Sequence, residues 1–241
     1  MEIKERELFE YIKCPIRYQL IHKGNILNDK KTFKNMCYEA INSYINASLN
    51  DMKADAISLK KKWDTIAQNG VNDGILTPKK VLDGWGLIYR TYEYIKYNNI
   101  NFLDVNTTYN LEFPEAKASL TGVLPPLIDK GSHIEIFVIC FDKQIPDRLE
   151  IDSKLKHTID AYAIKKMFKK DAVITYYIPS YNDTLITLRN SKDFERLNNI
   201  IYNISKSMQQ DIIYPRENFL CNTCAARHLC KSWTGAKEKE V

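Results

Sequence analysis

Three of the six cysteines fall close together near the C-terminus, in FLCNTCAARHLCKSW, where Cys221, Cys224 and Cys230 stand as C-x2-C-x5-C. Cys221 and Cys224 can grip one centre from a single turn, and Cys230 can return to it after a short helical segment. Three thiolates leave one ligand position open. Cys14 is the best donor for it, because it precedes Pro15 in ELFEYIKCPIRYQLIHKG. A proline there must break the helix and leave the thiol at an irregular, accessible corner. Cys140 sits in the apolar run IEIFVICF and Cys37 in a helical stretch, where both read as inert core thiols. A metal centre on Cys14, Cys221, Cys224 and Cys230 follows, but spacing does not separate zinc, with His228 as a further possible ligand, from an iron–sulfur cluster. The plain alternative is four small buried hydrophobes.

The elements that must bring these thiols together can be read from periodicity. Leu8, Tyr11, Ile12, Ile16 and Leu20 keep near-helical spacing on either side of Pro15. The 3.6-residue pattern returns over 31–54 and 56–68, NGVNDG at 69–74 reads as a loop, and a further helix spans 78–98. From about residue 105 short β-prone runs take over. IEIFVICF predicts a central strand buried on both faces, AVITYYIP at 172–179 a second buried strand, and TLITLRN at 184–190 an edge strand. An amphipathic helix over 155–169 lies between them, and another over 193–210 carries Phe194, Leu197, Ile200, Ile201 and Ile204 on one stripe. The outcome is a β-β-α-β core flanked by helices, after which the chain returns to its cysteines; the closing GAKEKEV is expected to be disordered.

A hydrophobic content of 44% fits an ordinary globular protein. No apolar run approaches the roughly 20 residues that span a bilayer, and MEIKERELFEYIK is unlike a signal peptide, so a soluble cytoplasmic protein with no membrane partner is expected. Six cysteines in such a compartment speak for a ligand rather than disulfides. The net charge of +5 is modest, but lysines gather at 60–62, at 79–80 and at 165, 166, 169 and 170. These are either a polyanion-facing surface or solvated helix faces. Tyr89, Tyr92, Tyr94 and Tyr97, with Arg90 and Lys96, could stack bases or simply fill a helical core. His22, His133, His157 and His228 form no metalloenzyme pattern, although His157 stands next to Thr158. Phosphate-binding glycine loops and nucleophile elbows are absent from the sequence.

Taken together, YIKCPIRYQL, LEFPEAKASLTGVL, IEIFVICF, the helix containing Tyr162 and IIYPRENFLCNTCAARHLC resemble the RecB-like branch of the PD-(D/E)XK nuclease superfamily, in its iron–sulfur members, the CRISPR-associated and AddB-type exonucleases. The resemblance implies an α/β fold in which a nuclease-like mixed sheet is joined to a helical N-terminal region and an iron–sulfur staple ties the termini. It implies one domain over 1–241: a cluster segment at 1–30, a helical region at 31–104, a core at 105–190, and a C-terminal helix with the cysteines at 191–241. It also favours a [4Fe–4S] cluster over zinc on Cys14, Cys221, Cys224 and Cys230.

Active members of that family hold Mg²⁺ or Mn²⁺ with a histidine, an aspartate and an acidic-x-lysine pair. Here the histidine position falls at Cys37 or Tyr38, the aspartate at Pro125, and the acidic-x-lysine pair at Cys140 and Asp142. The helix glutamine falls at Thr158, while Tyr162 is retained and Glu112 matches an upstream acid. No catalytic residue and no nuclease-site Mg²⁺ are therefore expected. A shifted register could use Asp129, Glu135, Asp142 and Lys143, but adjacent Asp142 and Lys143 on a strand face opposite ways. The resemblance implies an inactive homologue that binds nucleic acid, DNA foremost, or docks in a larger cellular or phage-encoded assembly. An active exonuclease with relocated carboxylates and a pure protein-interaction module are the alternatives.

Overall fold

Three polar residues start the three longest helices of the N-terminal half. Thr32, Asp55 and Thr77 each accept a hydrogen bond from a backbone N–H of the first turn, and Pro78 opens the third helix where its missing N–H costs nothing. The computed structural model describes residues 1–22, 31–50, 52–230 and 232; the closing GAKEKEV lies outside them. In chain order the elements are β1 (Glu2–Lys4), α1 (Glu5–Lys13), α2 (Pro15–His22), α3 (Phe33–Leu49), α4 (Ala56–Asn72), α5 (Pro78–Tyr97), β2 (Thr108–Phe113), β3 (Ala118–Val123), β4 (Leu127–Asp129), β5 (His133–Ile139), α6 (Arg148–Ser153), α7 (Leu155–Phe168), β6 (Asp171–Ile178), β7 (Asp183–Leu188) and α8 (Ser191–Gln209).

The chain divides into two compact units, each discontinuous in sequence. One comprises Met1–Lys30, Asn110–Gly122 and Asn198–Val241; the other comprises Lys31–Tyr109 and Val123–Leu197. The segments expected from sequence at 31–104 and 105–190 thus share the second unit, apart from 110–122.

The second unit holds a four-stranded mixed sheet in the order β4-β5-β6-β7. β5 and β6 run parallel in the register Ile136↔Ile174, with α6 and α7 forming the crossover, while β4 and β7 pair antiparallel at the edges. Its core joins sheet to helices through Trp63, Ile88, Phe137 and Tyr177. Tyr94 stacks on Tyr177 with ring centroids 4.0 Å apart. That leaves one of the four tyrosines considered for base stacking half-buried in the core.

Two expectations are corrected here. The segment 69–72 is helical and completes α4, because Gly70 lies against Leu76 and Met36 so closely that an added Cβ would come within 2.8 Å of Leu76. Close packing outweighs the turn-like composition. Helix α7 is not amphipathic: Ile159, Asp160, Ala161, Ala163 and Ile164 are buried around nearly its full circumference.

The first unit contains a small sheet in the order β1-β3-β2, in which β1 runs parallel to β3 with Ile3 opposite Leu120. The apolar stripe of α8 is formed by Leu197, Ile201 and Met208, with Phe194 and Ile204 half-buried.

Candidate functional site

Helix α1 ends where the sequence requires. Cys14 adopts an extended backbone, φ −169° and ψ 116°, because the ring of Pro15 crowds the helical conformation of the residue before it. The Cys14 N–H still donates to the Glu10 carbonyl at 3.1 Å, and Pro15 opens α2. The thiol is left at the joint. Beside it, Glu10 pairs with Lys13 at 3.0 Å and with Arg17 at 2.6 Å. Burial pushes the Glu10 pKa upward, but these hydrogen bonds and charges prevail and hold it below the usual carboxylate value.

The C-terminal segment is fastened across this joint. The Tyr11 hydroxyl donates to the Ile212 carbonyl at 2.6 Å, the Arg216 guanidinium to the Ile12 carbonyl at 2.8 Å, and the Asn218 side-chain amide to the Lys13 carbonyl at 3.1 Å. Asn218 also caps a 3-10 turn over Phe219–Thr223, and a second such turn over Arg227–Leu229 leads to Cys230. The backbone N–H of Arg216 donates to Cys14 Sγ and that of Asn218 to Cys221 Sγ, each at 3.5 Å.

Cys14, Cys221, Cys224 and Cys230 consequently line one pocket, together with the apolar Ile16, Leu20 and Leu220 and the cations Lys13 and Arg17. All four cysteines are half-buried and free of disulfides. His228 is exposed and outside this lining. Among the described residues no three His, Cys, Asp or Glu side chains stand close enough to hold a single metal ion. Cys37 and Cys140 are elsewhere: Cys37 is fully buried in α3, where desolvation pushes its pKa up to about 12, and Cys140 follows β5 with its thiol donating to the Asp142 carboxylate at 3.6 Å. Arg216 and Asn218 escaped the sequence reading, since neither forms a recognised ligand pattern and each acts through a carbonyl and a backbone N–H.

In the second unit, Tyr38, Thr158 and Tyr162, which align with nuclease motifs, make structural contacts. The Tyr38 hydroxyl donates to the Ile139 carbonyl and its ring meets Phe141 edge-on at 5.0 Å. Pro125 lies in the short link between β3 and β4. Thr158 accepts from Arg189 Nε at 3.0 Å, and the same guanidinium donates to Thr187 Oγ1 at 2.7 Å and to the Ile151 carbonyl at 2.9 Å. Tyr162 packs on Phe194 at 5.4 Å under Lys166. Glu112, which belongs to the first unit, is exposed on β2.

The carboxylates of the shifted register do not converge. Asp129 is bound by Lys170 at 2.7 Å and by the Gly131 N–H at 2.8 Å, and Glu135 pairs with Lys130 at 3.4 Å. Asp142 lies beyond the opposite end of β5 and pairs with Lys34. The strand between Asp129 and Asp142 sets them roughly 20 Å apart.

One buried pair appears where sequence offered only the proximity of His157 to Thr158. His157, 3% exposed, shares a short hydrogen bond through Nε2 with the Tyr176 hydroxyl, which Lys154 Nζ also reaches at 3.5 Å. His157 Nδ1 is buried without a protein partner. Burial, reinforced by the charges of Lys154, Arg189 and Lys156, lowers the His157 pKa to about 3, so the imidazole is neutral at physiological pH. Burial also raises the Tyr176 pKa.

No family model matches the sequence, and neither does any curated protein. The architecture itself is a mixed α/β arrangement preceded by helices. It is similar to a crystal structure from Eubacterium rectale described as a "Putative exonuclease", with a TM-score of 0.60, 12% identity, and coverage of 94% of this chain and 87% of that one. A second structure, SSO0001, is matched with a TM-score of 0.43 and 11% identity over 95% of this chain and 85% of that one. No described helix is long and apolar enough to cross a membrane.

Proposed function

We propose that this chain is a RecB-like nuclease homologue that has lost phosphodiester hydrolysis and serves as a nucleic-acid-binding subunit of a larger assembly, with a [4Fe–4S] cluster on Cys14, Cys221, Cys224 and Cys230. The observation that carries the reading is the dispersal of the carboxylates. A Mg²⁺ or Mn²⁺ centre needs acidic oxygens gathered on one ion, whereas Asp129, Glu135 and Asp142 each serve a different lysine.

The cysteine pocket fits the cluster. Its donors are thiols alone, two of them receive backbone N–H bonds, and the cations Lys13 and Arg17, paired with Glu10, line the same pocket. A single zinc would need thiols about 3.8 Å apart, from Zn–S bonds near 2.3 Å in a tetrahedron; a cluster sets its ligands more widely. When bound, such a cluster supplies cross-linking energy between distant segments. Exposed lysines at 61, 62, 79 and 80 offer charge for phosphates.

The test is DNA affinity across a salt series, with strand degradation followed in Mn²⁺. Binding that weakens linearly with log salt concentration and no degradation is expected. Degradation abolished by Asp142→Asn or Glu135→Gln would identify an active exonuclease instead, and absence of binding even at low salt would leave a protein-interaction module.

A further inference from the structure

We propose that Arg216 and Asn218 are the positioning residues of the cysteine pocket, each anchoring its side chain on a carbonyl at the end of α1 while its own backbone N–H is directed at a cysteine sulfur. The inference rests on the cluster reading above and assigns the part of the chain that prepares the site.

The last carbonyls of a helix have no intrahelical partner, and the break at Pro15 prevents α2 from supplying one to Ile12 and Lys13. Arg216 and Asn218 fill those positions at 2.8 and 3.1 Å. The segment from 212 to 218 has no regular secondary structure, and most of it is exposed. Apolar burial therefore contributes little to holding it, and directed bonds must do so.

Asn218 is extended, with φ −158° and ψ 174°. In extended chain, residues two apart face the same side, so Arg216 and Asn218 can reach α1 together while Glu217 is exposed. Asn218 adds a second tie within the segment, from Nδ2 to the Arg216 carbonyl at 2.9 Å, and its Oδ1 accepts the Leu220 N–H at 2.9 Å. One side chain thus fixes the approach to the first 3-10 turn and the turn itself. The two N–H···S contacts at 3.5 Å are the outcome: Cys14 and Cys221, from opposite ends of the sequence, are oriented by adjacent parts of one clamp. Such surrounding bonds fix ligand orientation and tune the bound group.

Three variants separate the roles. Asn218→Asp keeps the capping oxygen but cannot donate to Lys13 or Arg216. Arg216→Ala removes the anchor on Ile12, and Arg216→Lys retains a donor and the charge. Each protein, purified without oxygen, would be followed for iron loss to a chelator and for the midpoint potential, with far-ultraviolet circular dichroism as the measure of fold. Asn218→Asp and Arg216→Ala are expected to lose iron on the order of tenfold faster than the wild type, with Arg216→Ala at a more negative potential and the dichroism unchanged; Arg216→Lys should restore most of both. Wild-type retention and potential in Asn218→Asp and Arg216→Ala would overturn the assignment while leaving the cluster intact. A wild-type protein that binds no iron would overturn the cluster reading and this inference with it.

Discussion

The sheet-bearing unit and the cysteine segment solve the same problem, holding a chain in place, by different physics. In the former, Trp63, Phe137 and Tyr177 are fully buried and the rings of Tyr94, Tyr177 and Phe137 stack within one core. Apolar burial there needs no ligand. Within this unit Thr158 is held by Arg189 and the Cys140 thiol is turned to Asp142. Between 212 and 230, by contrast, only Ala226 is buried and the regular structure consists of two short 3-10 turns. Four thiols nevertheless meet in one pocket. Side chains able to bind a metal are gathered where the core is thinnest, which is where a ligand adds most to stability.

That contrast is most exposed to Cys14→Ser. On the proposed cluster, the variant is expected to lose iron and visible absorption and to become rapidly cleaved by protease within 212–230, while the circular dichroism of the remainder persists. Undiminished absorption would remove Cys14 from the ligand set. Trp63→Ala attacks the other side of the comparison and should lower unfolding free energy by about 3–5 kcal/mol through the cavity left in the core, with iron per folded molecule unchanged; a loss of under about 1 kcal/mol in denaturant titrations would mean the site collapses around the change.

The smallest effect concerns pH. The folded His157 pKa of about 3 lies below its unfolded value of about 6.5, so the unfolded chain binds the extra proton between these limits. The contribution of His157 is therefore complete above about pH 6.5 and is lost as pH falls toward 3, at up to about 1.4 kcal/mol per pH unit. His157→Leu should flatten the stability profile in that window, as denaturation midpoints across pH would report; an unchanged slope would show that this imidazole is not buried neutral.

Much of this arrangement is legible in the sequence. The 3.6-residue spacing locates α3, α4 and α5, and the apolar runs locate β5 and β6, because these signals are local. Pro15 alone is enough to place Cys14 at a break. β1 is not legible: three residues carry no periodicity, and its partner Ser119–Thr121 lies more than a hundred positions away. β5 ends at Ile139 rather than continuing through Phe141, since an apolar run records burial and not ladder pairing. The partnership of His157 with Tyr176 joins α7 to β6, and no property of either residue type announces it. Arg216 and Asn218 are hidden for a related reason, as a backbone N–H has the same chemistry at every residue but proline.

The wide separation between Cys14 and its clamp also has a consequence for synthesis. Arg216 follows Cys14 by 202 positions; at about 5–20 residues per second, a ribosome takes roughly 10–40 s to cover that interval. Throughout it the Cys14 thiol is without Cys221, Cys224 and Cys230, the other three that line its pocket. A chain halted short of Cys221 would carry only one of the four thiols that line the pocket, and the proposed cluster would have no site on it.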